Sequence, residues 1–158
     1  MTPQTPPFER LANKTPDVWW TDVCEDALTL KGAGTALIKG GGARKADDKV
    51  IQNNGASSVT IDGFSVQDFG KLYRSCGNCK GNGSKRAVTI KNVKASGGKV
   101  LAGINSNYGD TATISNTCAS STKKICVEFQ GVSDNSKEPK ELRSGPSNAC
   151  KYSSVPSC

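Results

Sequence analysis

Acidic residues, in one place followed by a lysine, are grouped at two successive points of the chain. Glu25 and Asp26 precede one β-prone segment, and Asp47, Asp48 and Lys49 precede the next. Carboxylate oxygens from neighbouring segments, completed by carbonyl and water oxygens, are the ligands that Ca²⁺ prefers. A lysine beside such a cation has its ammonium form disfavoured, which lowers its pKa from the usual value of about 10.4. This grouping predicts a calcium site with a lysine that can accept a proton at alkaline pH.

A third charged group contains only cations. Lys71 precedes the following β-prone segment, which carries Arg74. Spacings of 24 residues from Glu25 to Lys49 and 25 from Lys49 to Arg74 would stack the three groups on one face. An arginine can hold a uronate carboxylate while a metal ion polarises it and acidifies the adjacent carbon. The groups together predict β-elimination of an acidic polysaccharide; taken alone, such charges are more typical of solvated turns or salt-bridge ladders.

The composition excludes several other chemistries. The 158-residue chain has no histidine, which removes Ser-His-Asp triads, histidine-ligated zinc and imidazole bases. No apolar run approaches the roughly 18 residues of a membrane span. The net charge of +7 favours a polyanionic partner, although a charge that serves only solubility also fits. We expect no membrane as partner, and no nucleic acid either, because the sequence has no recognition helix and no aromatic row interleaved with the basic residues.

Short β-prone segments recur at regular spacing. One series begins at Ala36, Val59, Val88 and Ala112, with spacings of 23, 29 and 24 residues. A second series begins, at spacings of 22 to 28 residues, at Ala27, Val50, Leu72, Val100 and Ile125. Residues 76–84 lengthen the third repeat and are predicted to form an inserted loop.

The repeat length decides between the possible repeat architectures. Two strands within about 23 residues leave no room for a βαβ crossover, which needs roughly 30 residues. The leucine-asparagine consensus of leucine-rich repeats is missing, and a four-stranded propeller blade would need nearly twice the period. The repeats predict an all-β solenoid, a parallel β-helix over residues 18–131, with strands stacked about 4.8 Å apart. Residues 132–158 are predicted to wrap its end as a polar tail tied down by Cys150 and Cys158.

Seven cysteines indicate an oxidising compartment. At this density in a Gly-rich chain they are typical of a secreted disulfide framework, with one thiol left over. A zinc site usually needs two Cys-x-x-Cys knuckles, and only residues 76–79 have that spacing. The pairs Cys118/Cys126 and Cys150/Cys158 could each staple a C-terminal loop, but spacing alone leaves the connectivity open.

Four longer motifs identify the chain more closely. They are WWTDVCEDA (19–27), ADDKVIQ (46–52), DFGKLYRSCGNC (68–79) and GINSNYGD (103–110). In this order and spacing they resemble the family-three pectate lyases (polysaccharide lyase family 3), secreted enzymes of microbes and plant-parasitic animals. The resemblance covers residues 18–131.

The resemblance implies a fold, a reaction and roles for particular residues. The fold would be a right-handed parallel β-helix, and the reaction Ca²⁺-dependent eliminative cleavage of de-esterified pectin (polygalacturonate) to unsaturated oligogalacturonates. Lys49 is similar to the Brønsted base and Arg74 to the residue that holds the substrate uronate, while Lys71 is similar to a substrate-contacting cation. The metal ligands implied are Glu25, Asp26 and Asp48.

The N-terminal segment departs from the family. Family members carry further coils and acidic residues before the double tryptophan, whereas residues 1–17 do not match and their prolines argue against strands. Residues 1–7 also lack the pattern of a secretion signal. The seven cysteines nevertheless indicate secretion. We therefore expect a secreted, monomeric enzyme that is shortened at its N-terminus and weakened by the loss of those coils. The alternative is an inactive relative that binds pectate or acts on a plant host.

Overall fold

The computed structural model describes residues 18–158, and the Pro-rich segment 1–17 lies outside the described residues. Nearly all regular structure in the described part is β-strand. The strands are β1 (Trp19–Trp20), β2 (Asp26–Leu30), β3 (Thr35–Lys39), β4 (Gly42–Asn53), β5 (Ser58–Asp62), β6 (Ser65–Ser75), β7 (Ala87–Lys91), β8 (Lys94–Asn105), β9 (Thr111–Ser115), β10 (Cys118–Gln130), β11 (Lys140–Ser144) and β12 (Cys150–Lys151). A single-turn 3₁₀ helix, Ser106–Tyr108, follows β8.

Two sheets, parallel except for the last strand of the first, form the walls of a solenoid. The first has the order β1-β4-β6-β8-β10-β11, with β2 also pairing with β4, and the second has the order β12-β9-β7-β5-β3. The chain alternates between the sheets, so that each long strand leads into a short one and the next coil stacks on the last. This is the right-handed parallel β-helix of about five coils that the repeats and the resemblance predicted, and the fold prediction is confirmed.

The register of the short strands follows the first sequence series. Ala36, Val59, Val88 and Ala112 pair one above the other through β3, β5, β7 and β9. The second series needs one correction, since Val100 pairs with Lys71 rather than with Leu72. The fourth segment of that series therefore begins one residue later than the sequence suggested.

A stack of isoleucines shows how the coils hold together. Ile38, Ile61, Ile90 and Ile114 pair in register, and each is at most 6% exposed. The isoleucine in each coil therefore buries its side chain against those above and below. Full burial of such a side chain is worth about 1.5–3 kcal/mol. This repeated layer, rather than a single central cluster, forms one side of the core.

The C-terminal segment folds back onto the last coils. β11 pairs antiparallel with β10, and β12 extends the second sheet beside β9. Disulfides join Cys118 to Cys158 and Cys126 to Cys150. The loop staples considered for cysteines eight residues apart are therefore wrong, because the returning chain brings the two later cysteines beside strand β10 in the opposite order.

The remaining cysteines separate into one pair and one free thiol. Cys76 and Cys79 form a disulfide in the loop after β6, and Cys24 is free and exposed. This confirms a disulfide framework with one thiol left over. No helix of residues 18–158 is long and apolar enough to cross a membrane.

Replacing Ile61 tests the stacked core. Ile61 is fully buried at the centre of the isoleucine stack. We expect Ile61→Ala to lower the free energy of unfolding by about 2–5 kcal/mol, because it leaves a cavity between two coils. Chemical denaturation followed by circular dichroism measures the change. The matched control Thr60→Ala, at a half-buried neighbour, should change stability by less than about 1 kcal/mol, and an equal loss in both would argue against the stack.

Candidate functional site

A β-bulge in β4 presents the acidic pair of the site. Ala46 pairs with Phe69, but Lys49 pairs with Lys71, so β4 carries one more residue than β6 between these points. Asp47 and Asp48 occupy the bulge. Bulges re-aim side chains and are over-represented beside active sites. Here the bulge contains two consecutive carboxylates. The lysine that follows them, Lys49, is again in register with β6 of the next coil.

A glycine in β6 accommodates the bulge. A Cβ at Gly70 would lie 2.1 Å from the carbonyl oxygen of Asp48 and 2.6 Å from that of Asp47. Both distances are far below van der Waals contact, and the opposing atoms belong to the backbone. The absence of a side chain at Gly70 therefore lets the two coils approach closely at the site.

Lys49 lies between carboxylates of two coils. Its Nζ is 3.4 Å from Oδ1 of Asp26, the residue with which it pairs on the preceding coil. It also donates a hydrogen bond to Oδ2 of Asp48 in its own strand. Oδ2 of Asp26 accepts a hydrogen bond of 3.3 Å from the hydroxyl of Thr29. The predicted base and two of the predicted metal ligands are thus brought together.

The carboxylates control the protonation of Lys49. Burial acts to lower the pKa of Lys49, but the hydrogen bond to Asp48 and the charges of Asp26 and Asp48 outweigh it, so the net pKa is raised. Lys49 is therefore an ammonium at neutral pH in this arrangement. The lowering expected from the sequence requires a cation bound to the same carboxylates, and it stays a prediction.

Lys71 extends the site onto the next coil. It pairs with Lys49 on one side and with Val100 on the other. Burial lowers the pKa of Lys71; the charge of Asp48 opposes this, while nearby Arg74, Lys49 and Lys99 add to it. Lys71 is therefore a half-buried lysine on the coil after Lys49, close to Asp48.

Asp26 and Asp48 offer oxygen donors to a cation. Oδ1 of Asp26 is buried and accepts no hydrogen bond from a described residue. Glu25, the third predicted ligand, is exposed. Within residues 18–158, no three acidic or cysteine side chains group closely enough to hold a metal by themselves. The donors fit Ca²⁺ in chemistry, since this ion takes about six to eight oxygens and accepts water and substrate oxygens among them.

Arg74 lies in a different row from Lys49. It pairs with Gln52 on the preceding coil and Gly103 on the following coil. The stacking expected from the 25-residue spacing is wrong, because the step from β4 to β6 at this point is the 22 residues that separate Lys49 from Lys71. Arg74 therefore lies three residues further along its strand than the row of Lys49.

The side chain of Arg74 is packed rather than free. It is 5% exposed, its Nη1 donates to Oδ1 of Asn105 at 2.9 Å, and its guanidinium lies 4.0 Å from the ring centroid of Phe129. Nη2 has no hydrogen-bond partner among the described residues. Burial lowers the pKa of Arg74 to about 10, with Asp110 acting in the opposite direction. Arg74 remains a cation at neutral pH.

Two lysines that sequence reasoning missed lie beside the site. Lys99 and Lys123 line a shallow surface depression together with Asp47. The row that begins at Lys49 continues through Lys71, Val100 and Lys124. Lys99 directly precedes Val100, and Lys123 directly precedes Lys124. The signal was a lysine at the same offset in two successive repeats, and it is visible only once the register of β8 and β10 is known.

Comparisons with known proteins identify the family of the chain. A family model described as pectate lyase matches residues 12–136. The chain belongs to the pectate lyase family. It is 68% identical over 138 residues to a probable pectate lyase E of Neosartorya fischeri, covering 86% of this chain and 54% of that protein. It is 65% identical over 139 residues to pectate lyase E of Emericella nidulans, covering 87% of this chain and 54% of that protein.

Solved structures of pectate lyases share the fold. Pel3 of Pectobacterium carotovorum superimposes with a TM-score of 0.79 at 34% identity, covering 87% of this chain and 47% of that one. PelI of Erwinia chrysanthemi, solved in complex with tetragalacturonic acid, superimposes with a TM-score of 0.75 at 37% identity, covering 88% and 50%. The chain thus spans about half the length of these relatives.

The packing of Arg74 predicts a measurable contribution to stability. We expect Arg74→Ala to lower the free energy of unfolding by about 2–4 kcal/mol, because the hydrogen bond to Asn105 and the stacking on Phe129 are both lost. Arg74→Lys should give an intermediate loss, since it keeps the charge but not the planar group.

Urea denaturation followed by circular dichroism measures these changes. Arg44→Ala, which removes an exposed arginine of β4, is the control and should leave the transition nearly unchanged. Equal midpoints for the Arg74 and Arg44 variants would show that Arg74 has no structural role.

Proposed function

We propose that this protein is a Ca²⁺-dependent pectate lyase that cleaves polygalacturonate by β-elimination to unsaturated oligogalacturonates. The observation that supports this most directly is the position of Lys49, whose ammonium contacts Asp26 of the preceding coil and Asp48 of its own. Elimination next to a uronate carboxylate needs a base and a means of neutralising that carboxylate. Lys49 would be the base, and Asp26 and Asp48, which both contact Lys49, would hold the neutralising ion.

Cations of the first sheet are proposed to bind the substrate. Polygalacturonate carries one carboxylate per sugar unit, and the chain has a net charge of +7. Lys71 lies beside the acidic pair on the next coil, and Lys99 and Lys123 lie on the coils beyond it. Cations on three successive coils would attract successive uronates and hold the substrate across the coils. The complex of PelI with tetragalacturonic acid supports this substrate class.

Asp26 and Asp48 are proposed to hold the calcium ion, with Glu25 as the further ligand that the family resemblance implies. Bound there, Ca²⁺ would neutralise the substrate carboxylate and make the proton on the adjacent carbon more acidic. The buried Oδ1 of Asp26 supports this assignment, because among residues 18–158 it accepts no hydrogen bond and its ion-pair contact with the ammonium of Lys49 is 3.4 Å long.

Lys49 is proposed to remove the proton next to the carboxylate. The electron pair released forms a double bond to the neighbouring carbon, and the glycosidic oxygen leaves that carbon and takes a proton from water to become a hydroxyl. The raised pKa of Lys49 reflects its two carboxylate partners, so sharing those carboxylates with a cation would weaken their hold on the ammonium. Lys49 would then be freed to act as a neutral amine at alkaline pH.

Arg74 is proposed to hold the uronate through its remaining donor. Nη1 is committed to Asn105, whereas Nη2 has no partner among the described residues. The hydrogen bond to Asn105 and the contact with Phe129 fix the guanidinium plane, so little freedom would be lost on binding. This role follows the family resemblance; Arg74 is 5% exposed, so binding would require its guanidinium to become more accessible.

We infer that the protein works outside the cell. Its three disulfides need an oxidising compartment to form and persist. The substrate, a polymer of plant cell walls, is also extracellular. The second candidate function, pectate binding without cleavage, is favoured by one observation, that residues 18–158 bring only two carboxylates together at Lys49.

Replacing Lys49 separates the two candidate functions. We expect Lys49→Ala to lower kcat on polygalacturonate by at least about 100-fold, the usual contribution of a general base, while substrate binding is largely kept. Ultraviolet absorbance of the unsaturated product measures the rate. Lys39→Ala, which removes an exposed lysine of the second sheet, should leave the rate unchanged. A wild-type protein that binds pectate but forms no product would overturn the lyase and support the binding protein.

Removing calcium or its proposed ligand should stop the same reaction. We expect a chelator to abolish product formation and added Ca²⁺ to restore it. Asp26→Asn should weaken calcium binding, followed by titration calorimetry, by about tenfold or more, because it removes a charged ligand. Asp62→Asn, at an acidic residue that pairs with Lys91 on the second sheet, is the matched control. Full activity in the chelator would contradict the calcium assignment.

A further inference from the structure

A second buried arginine has unused donors. Arg86, directly before β7, is 4% exposed. Its Nη2 donates to the carbonyl oxygen of Asn54 at 2.9 Å, but Nε and Nη1 have no hydrogen-bond partner among the described residues. Buried donors are nearly always satisfied, and a buried charge is usually paired. We therefore expect the Nε–H and Nη1–H groups of Arg86 to bind an acceptor that does not belong to the described residues.

The nearest carboxylate does not supply that partner. Asp110 accepts the backbone N–H of Arg86 at 2.9 Å through Oδ1 and the backbone N–H of Asn105 at 3.0 Å through Oδ2. Both of its oxygens are thus used by the backbone. No ion pair joins the guanidinium of Arg86 to a carboxylate of residues 18–158.

Arg86 lines a small cationic cavity. The cavity has a volume of about 160 Å³ and lies between the turn after β4 and the loop after β6. Lys80 and Lys85 also line it, and both are exposed at its rim. None of its lining residues carries a carboxylate. Three cations around a cavity without an acid make it attractive to an anion.

The turn after β4 forms one wall of this cavity and is fixed by the hydrogen bonds of Asn53. Oδ1 of Asn53 accepts the backbone N–H groups of Gly55 and Ala56 at 3.2 and 2.8 Å. Its Nδ2 donates to the carbonyl oxygen of Ala56 and to the hydroxyl of Tyr73. The carbonyl of Asn54 that orients Arg86 is therefore part of a turn with little freedom.

The loop after β6 forms the opposite wall. The disulfide Cys76–Cys79 closes its first half. Nδ2 of Asn82 donates to the carbonyl oxygens of Cys76 and Val132 at 2.7 and 3.1 Å, which ties the loop to the end of the last coil. Since both walls are held in place, the cavity is a built feature and not a gap between mobile loops.

We propose that this cavity is a binding site for one small oxyanion, held by the guanidinium of Arg86 and the ammonium groups of Lys80 and Lys85. Its volume lies below the range of about 300–1,000 Å³ that is typical of sites for larger organic ligands. A phosphate ion or a single carboxylate group matches this size and the charge of the cavity. The site lies beyond the carboxyl ends of β4 and β6, outside the row that contains Lys49 and Lys71.

Nuclear magnetic resonance on the full chain tests this proposal. The Nε–H signal of Arg86 is assigned by its loss in Arg86→Gln and followed during titration with inorganic phosphate, and separately with monomeric galacturonate, at fixed ionic strength. We expect a saturable shift of that signal with a stoichiometry of one. Saturation by phosphate alone identifies a free inorganic anion, and saturation by galacturonate identifies a uronate carboxylate.

Variants at the rim keep the test independent of the buried arginine. Lys80→Ala/Lys85→Ala removes two exposed charges and should weaken binding by about tenfold or more. Lys39→Ala/Lys151→Ala removes two exposed lysines of the second sheet that do not line the cavity and should leave the affinity unchanged. The proposal is overturned if neither anion shifts the Arg86 signal, or if the two double variants bind equally well.

Discussion

Parallel pairing between successive coils is the constraint on which the candidate site depends. In a solenoid, a side chain has neighbours one strand spacing above and below it, about 4.8 Å away, and the register decides which they are. Asp26, Lys49 and Lys71 come together because they pair in β2, β4 and β6. The bulge at Asp48 adds a second carboxylate without breaking the row. A shift of one residue in any of these strands would separate the lysine from its acids.

The same architecture makes polar interiors necessary at the corners of each coil. Where a strand of the first sheet ends, the backbone must turn, and its N–H and C=O groups need partners. Asn53 satisfies a turn after β4, Asn105 holds Arg74, and Asp110 binds two backbone N–H groups. Arg86 stands out among these corner residues because two of its nitrogens are unused. The fold is thus stabilised by aliphatic stacks along its walls and by polar networks at its turns.

The sequence predicted the fold well because near-identical strands recur. Val59-Thr-Ile and Val88-Thr-Ile repeat the same alternation, and the isoleucines then pair as the spacing indicated. Counting residues was less reliable in the first sheet, where loops and the bulge vary in length, so Arg74 was placed in the row of Lys49. The pairing of Cys118 with Cys158 depends on how the tail returns, which spacing cannot reveal. No motif marked Arg86, whose burial depends on two turns distant in sequence.

Chemical rescue of Lys49→Ala by a small primary amine tests whether Lys49 is the base of the proposed elimination. If the coil register places the amine of Lys49 beside the proton that is removed, the variant should form almost no unsaturated product alone. Added methylamine should then restore product formation in proportion to its concentration, and chelation of calcium should abolish the restored rate. A Lys49→Ala variant that cleaves polygalacturonate at the wild-type rate without added amine would show that Lys49 is not the base.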